Sequence, residues 1–124
     1  MYLNKGISLY SLGKYTEAID NYNKAISFRP NFSEAYSNRG ASLYKLNEYD
    51  KAIESYDKAI EISPKYVDAY MSKAVCLKNR GKYDEAIATY DKAIEKKGGP
   101  GADAVKTMID GIKKGCEMVL ESKK

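Results

Sequence analysis

The chain has no histidine and no tryptophan, and its 124 residues include only 2 cysteines and 3 prolines. Without histidine it lacks the usual proton shuttle at neutral pH and the commonest metal ligand. Cys76 and Cys116 are far apart and do not form the Cys-x-x-Cys spacing of zinc and redox sites. We interpret them as two buried thiols in a reducing compartment. These absences predict that the protein is not an enzyme and holds no metal or cofactor.

Long hydrophobic runs and phosphate-binding loops are also missing. No window approaches the roughly 18 apolar residues that a membrane-spanning helix needs, and the first residues do not resemble a signal peptide. The run Gly98-Gly99-Pro100-Gly101 is not followed by the Lys-Ser/Thr pair of a phosphate loop. We therefore expect a cytoplasmic protein that does not act at a membrane.

The charge is moderate and dispersed, with 21 Lys plus Arg against 17 Asp plus Glu and a net charge of +4. Because no segment concentrates the positive charge, the pattern argues against nucleic-acid binding. Acidic residues such as Asp50, Glu54 and Asp57 have the spacing of an exposed helix face paired with lysines. The length favours one folding unit.

A period of 34 residues organises most of the chain. It brings nine of the 12 tyrosines into three equivalent positions. These are Tyr2, Tyr36 and Tyr70, then Tyr15, Tyr49 and Tyr83, then Tyr22, Tyr56 and Tyr90. Gly6, Gly40 and Ala74 align in the same way, as do Ala18, Ala52 and Ala86. Such a period is typical of stacked repeats, each too small to bury its apolar face alone.

Each repeat contains two helical stripes separated by a short turn. The turn is marked by Gly13, Asn47 or Gly81, residues that tolerate the left-handed backbone common at helix ends. Pro30 and Pro64 follow the second helix, where proline prevents the helix from continuing. The pattern therefore predicts antiparallel helix pairs.

The run Tyr36-x2-Arg39-Gly40-x2-Leu43, followed by Ala52-x3-Tyr56 and by Pro64, resembles the signature of the tetratricopeptide repeat family. The resemblance covers roughly residues 2–97. It implies an all-α, right-handed superhelical solenoid of antiparallel helix pairs with a C-terminal solvating helix. Lys5, Arg39 and Lys73 stand where the family usually has leucine, and we expect their heads to reach water.

The predicted organisation follows from this register. We expect an N-terminally truncated repeat at 1–32, repeats at 33–66 and 67–97, a Gly/Pro linker at 98–101, and a capping helix with a tail at 102–124. Asp103 is a candidate cap of the last helix, and Gly111 and Gly115 could permit close helix contact or only weaken it. The apolar stripe of that helix comprises Val105, Met108, Ile109, Ile112, Cys116, Val119 and Leu120.

The resemblance also implies a concave groove lined by the first helix of each repeat. Asn4 and Asn38 share one position, and a side-chain amide can bond to both a peptide carbonyl and a peptide N–H. Tyr10 and Tyr44 share another and offer flat area with a polar tip. The candidate groove residues are Leu3, Asn4, Ile7, Tyr10, Ser37, Asn38, Ala41, Tyr44, Lys45, Met71, Ser72, Val75 and Lys78.

Two functions follow from this reading. The first is a protein-interaction module that holds an extended or helical peptide segment in the groove. The alternative is a structural scaffold that self-associates through its apolar terminal helices. We expect a charge at Leu3 or Ile109 to abolish such self-association.

We expect no binding of the acidic C-terminal tails of heat-shock chaperones. The family's carboxylate clamp has lysine and asparagine where this chain has Leu3 and Ile7, and lysine and arginine where it has Asp68 and Ser72. Only Asn38 matches, so a terminal carboxylate has no strong charged partner. Calorimetric titration with a chaperone tail peptide checks this, and micromolar or tighter binding would contradict it.

Overall fold

The computed structural model describes residues 2–97 and 102–122, without the side chains of 102–105. Every element in these ranges is an α-helix, which confirms the predicted all-α fold. The predicted linker 98–101 lies outside the described residues, as does the side chain of Asp103. The helices are α1 (Tyr2–Ser11), α2 (Tyr15–Phe28), α3 (Ser33–Lys45), α4 (Tyr49–Ile62), α5 (Val67–Asn79), α6 (Tyr83–Lys97) and α7 (Ala102–Ser122).

The chain divides into two compact units. The first unit, Met1–Pro64, contains α1 to α4, and the second, Lys65–Lys124, contains α5 to α7. In the first unit α3 packs against α4, α2 and α1, and in the second α6 packs against both α5 and α7. Each unit therefore has its own buried core.

The three turns inside the helix pairs share one backbone conformation. The φ angles are 79° at Gly13, 62° at Asn47 and 78° at Gly81, all in the left-handed region. In the first turn the N–H of Lys14 donates to the carbonyl of Leu9 at 2.9 Å, and the other two turns repeat this bond. The geometry is a Schellman motif, which satisfies carbonyls at the end of the first helix. The prediction for these turns is confirmed.

The two helices of a pair approach closely where the first carries glycine. A Cβ atom built on Gly6 would lie 2.5 Å from the Tyr22 ring, and one on Gly40 would lie 2.8 Å from the Tyr56 ring. Real Cβ atoms do not approach an aromatic carbon so closely, so the tyrosine ring occupies space that only glycine leaves open. The buried core around these contacts comprises Ala18, Tyr22, Ala25, Ala35, Tyr36, Leu43, Ala52, Tyr56 and Ala59.

Arg39 connects three helices of the first unit. Its Nε donates to the Ser55 hydroxyl on α4, and its guanidinium also donates to the Asn23 amide oxygen on α2, both at 3.0 Å. The guanidinium also lies 5.0 Å from the centre of the Tyr36 ring. The sequence predicts that this head reaches water, and its bond to Asn23 is exposed. Its planar fork of donors also finds partners on both neighbouring helices, which the sequence did not predict.

Helix α7 completes the core of the second unit. Ile109 is fully buried against Ala74, Tyr90 and Ala93. The predicted stripe is only partly correct, because Met108 is 50% exposed. Cys116 is buried, whereas Ile112, Val119 and Leu120 are half-buried, and the side chain of Val105 lies outside the described residues.

One lysine of α7 pairs with a carboxylate of the neighbouring helix α6. Lys113 donates a hydrogen bond to the Asp91 carboxylate on α6, and this bond is the main cause that raises its pKa. The contact ties the polar edge of α7 to its neighbour. Because Asp91 is exposed, the pair contributes little to stability.

Both cysteines are buried free thiols, as the sequence predicts. Cys76 is fully buried on α5, and burial raises its pKa to about 11. Burial also raises the pKa of Cys116.

We expect Gly40→Ala to lower the free energy of unfolding by about 1–3 kcal/mol, the usual effect of overpacking. Alanine stabilises a helix by roughly 1 kcal/mol relative to glycine. The variant therefore loses stability only if the added methyl group clashes with its neighbours. Gly111→Ala is the matched control, since among the described residues no atom outside its own stretch of helix lies within 4 Å of its Cβ position; it should be neutral or stabilising. Urea denaturation followed by circular dichroism measures both, and an unchanged Gly40→Ala variant contradicts the close contact.

The raised pKa of Cys76 predicts slow alkylation of the folded protein. The folded value of about 11 exceeds the unfolded value of about 8.5. The neutral thiol therefore stabilises the fold below about pH 8.5, and this contribution is lost as the pH rises through 11. At pH 8, mass spectrometry should show Cys76 unmodified by iodoacetamide in the native chain and modified in urea. Equal rates in the two states would refute the assignment.

Candidate functional site

In the first unit the candidate groove residues fall on α1 and α3 with different exposure. Asn4, Ile7 and Lys45 are exposed, and Leu3, Asn38 and Ala41 are half-buried. Ser37 is buried, with 8% of its surface exposed, so it presents little to a ligand. The surface available on α3 is therefore formed by Asn38, Ala41, Tyr44 and Lys45.

The two candidate tyrosines lie against the second helix of their own pairs. The Tyr10 ring packs edge-on against Tyr15 at 5.3 Å, and the Tyr44 ring is tilted on Tyr49 at 5.6 Å. Aromatic pairs favour these offset and edge-on arrangements. Both tyrosines are half-buried, so each contributes to packing and offers only part of its ring to a ligand.

The first unit contains an open apolar cavity of about 600 Å³. Two candidate groove residues, Leu3 and Asn4, line it. The remaining lining residues come from the first residue of α1, the end of α2 and the turn before α3: Tyr2, Ala25, Phe28, Arg29 and Phe32. The chain has only 2 phenylalanines, and both lie here.

Two cationic side chains lie against aromatic rings that line this cavity. Phe28 is 77% exposed and stacks on Tyr2 with ring centres 5.6 Å apart and planes 6° from parallel. Lys24 lies 5.7 Å from the centre of the Tyr2 ring, and the Arg29 guanidinium lies 4.4 Å from that of Phe32. These are cation–π distances, so each cation is held beside an aromatic ring.

In the second unit, three candidate groove residues of α5 line one cavity. Met71, Ser72 and Val75 are half-buried around a space of about 480 Å³. Asp68 and Tyr90 contribute to its wall, and Ile112 of α7 closes one side. The cavity therefore combines an apolar lining with one carboxylate, that of Asp68, and two side chains that carry a hydroxyl, Ser72 and Tyr90.

A second space in this unit, of about 360 Å³, lies along α7. The remaining candidate residue, Lys78, lines it together with Asn79 and Tyr83. Gly111 and Gly115 also line it, and in the described part of the chain no atom from outside their own stretch of helix lies within 4 Å of either Cβ position. The two glycines therefore make no close contact with another helix in the described part of this unit.

Among residues 2–97 and 102–122 no group of His, Cys, Asp or Glu is arranged to hold a metal ion. In the same ranges no helix is long and apolar enough to cross a bilayer. The cavities lined by candidate groove residues of α1 and α5 offer a ligand apolar contact and hydrogen bonds.

The sequence reasoning missed several lining residues, namely Phe28, Arg29, Phe32, Tyr90 and Ile112. They lie on second helices, turns and the last helix, whereas the predicted groove used only first helices. One signal was available: a chain with 12 tyrosines has 2 phenylalanines, and these are four residues apart.

Models of one family match most of the repeated part of the chain. A model described as TPR repeat matches residues 6–47. Two models described as Tetratricopeptide repeat match residues 33–66 and 55–88. A search of the curated proteins gave no significant match.

Solved structures share the fold. The chain is 29% identical to the TPR2B domain of yeast Sti1, solved as a complex with pHsp70, with a TM-score of 0.84 over 91% of this chain and 90% of that one. It is 28% identical to the Sgt2 TPR domain of Aspergillus fumigatus, with a TM-score of 0.87 over 99% and 82% of the two chains. The first TPR of Spaghetti (RPAP3), bound to the HSP90 peptide SRMEEVD, is 22% identical, with a TM-score of 0.85 over 97% and 90%.

Proposed function

Because the chain belongs to the tetratricopeptide repeat family, we propose that it binds a peptide segment of a partner protein in a groove lined by the first helices of its repeats. The module acts by holding its partner and carries out no catalysis. Affinity comes from apolar side chains in the cavities and from amide hydrogen bonds to the ligand backbone.

The main support is the cavity of the second unit. Met71, Ser72 and Val75 lie on one face of α5 at spacings of one and three residues, and all three line the same space. A ligand side chain entering it would meet a flexible thioether and a branched aliphatic group, which suits an apolar anchor. The nearby Asp68 carboxylate would accept hydrogen bonds from a peptide N–H or a cation.

Two structural neighbours were solved with chaperone ligands, pHsp70 for yeast Sti1 and the peptide SRMEEVD for Spaghetti. The fact that these two neighbours bind such ligands supports the general proposal that this chain binds a peptide. The residues at the clamp positions, including Leu3, Ile7 and Asp68, favour a different ligand, because an acidic tail would meet apolar groups and a carboxylate.

We expect a random peptide display library to yield a shared motif on the purified chain and to lose it on Asn38→Ala/Tyr44→Phe. The Phe substitution keeps the Tyr49 ring contact, so it removes the polar tip while retaining the packing. Lys58→Ala on α4 is the matched control, an exposed truncation outside the candidate groove. Retention of the motif by the groove variant, or no enrichment at all, contradicts groove binding.

Exposed apolar residues of α7 favour self-association as the second candidate function. Met108 is 50% and Met118 is 69% exposed. Ile109 is unsuitable for the charge test that the sequence suggested, since it is fully buried and a charge there would disrupt the core. A solution mass that rises with concentration and falls on Met118→Lys would shift the assignment to a scaffold.

A further inference from the structure

We propose that the cavity of the first unit, with its lining of Tyr2, Phe28 and Phe32, binds an aromatic side chain of the partner segment that is directly flanked by acidic residues. The inference rests on the proposed peptide-binding function and adds the chemistry of the ligand. It concerns the space lined by α1, the end of α2 and the turn before α3.

The apolar part of this cavity is formed by side chains that the fold does not cover. Phe28 has 77% of its surface exposed, far more than a large aromatic side chain usually has. Its ring is fixed by stacking on Tyr2, so it is ordered before a ligand arrives. A preformed aromatic surface loses little conformational entropy on binding, which favours an apolar anchor.

The charge around the cavity is positive. Arg29 lines it, and Lys24 lies over the Tyr2 ring that also lines it. Within the described part of the chain, neither cation forms an ion pair with a carboxylate. Glu34 follows Phe32 by two positions but does not line the cavity. A carboxylate on the ligand would therefore gain charged partners without displacing an internal one.

Asn4 favours an extended peptide as the occupant. It is exposed, lines the cavity, and can donate to one peptide carbonyl while accepting from a peptide N–H. A binding mode with one apolar side chain in the cavity and a backbone bond to Asn4 fits the size of the space, about 600 Å³. No terminal carboxylate is required, so an internal segment of a protein can bind.

The test repeats the display selection on the intact chain and on three single variants. Phe28→Ala removes the aromatic surface, Arg29→Glu reverses the charge, and Lys58→Glu makes the same reversal on α4. All three positions are exposed, and circular dichroism melting checks that each variant folds. An enriched peptide is then synthesised with both ends blocked, and its Kd is measured by fluorescence anisotropy.

The expected motif has an aromatic residue next to Asp or Glu. Phe28→Ala should raise the Kd of the synthetic peptide about tenfold or more, as for the loss of a buried anchor. Arg29→Glu should raise the Kd at least about threefold, and this effect should shrink at high salt. In the display selection this variant should enrich basic residues beside the anchor instead of acidic ones. Lys58→Glu should leave Kd within about twofold, as for a charge outside the interface.

Other results separate this inference from the function on which it rests. A motif lost on Asn38→Ala/Tyr44→Phe but kept on Phe28→Ala and Arg29→Glu leaves peptide binding intact and overturns the inference. A motif without acidic residues overturns it too. No enrichment on any form overturns both, and a concentration-dependent mass lost on Phe28→Ala would show that a second copy fills the cavity instead.

Discussion

The contact between a glycine of the first helix and a tyrosine of the second sets the separation of the helix pairs in the first unit. At Gly6 and Gly40 the partner ring lies where a Cβ would be, so the backbones approach more closely than two side-chain-bearing positions allow. Ala18 and Ala52, on the same helices as these tyrosines, are fully buried. In the second unit Ala74 takes the glycine position and shares a core with Tyr90 and with Ile109 of α7.

The repeated features were predictable because each repeat presents the same local problem. The left-handed turn residue, the small residue beside the tyrosine and the break before the next helix recur at fixed positions, and each follows from backbone sterics or side-chain volume. The features that sequence reasoning missed depend on which neighbour a side chain meets. Arg39 finds partners on α2 and α4, and Lys113 finds Asp91; neither partner is visible in the spacing of the helix itself. The predictions for Ser37 and Met108 were wrong for the same reason: Ser37 is buried and Met108 is exposed, and the exposure of a residue at the edge of a helical stripe depends on which neighbour packs there.

In the candidate site, too, some residues could be predicted from the repeat register and others could not. The positions of α5 that line one cavity could be named from the family register, and Met71, Ser72 and Val75 do lie together. The first unit's cavity depends instead on Phe28 and Phe32, which belong to a helix end and a turn and lie outside the first-helix register. Register therefore locates the first-helix surface of each repeat, whereas the first unit's cavity depends on individual residues at a repeat boundary.

The hydrogen bonds of the three tight turns have a consequence for how such a chain changes over evolution. Each turn closes on carbonyls of its own repeat, as Lys14 does on Leu9, and uses no group from a neighbouring repeat. Duplication or deletion of a whole 34-residue segment would therefore leave no backbone group of the turn without its partner. Contacts such as that of Arg39 with Asn23 cross from one repeat to the next, and these are the ones that a new junction must rebuild. Array length can thus vary in whole repeats at little structural cost, while the sequence at each junction carries the constraint.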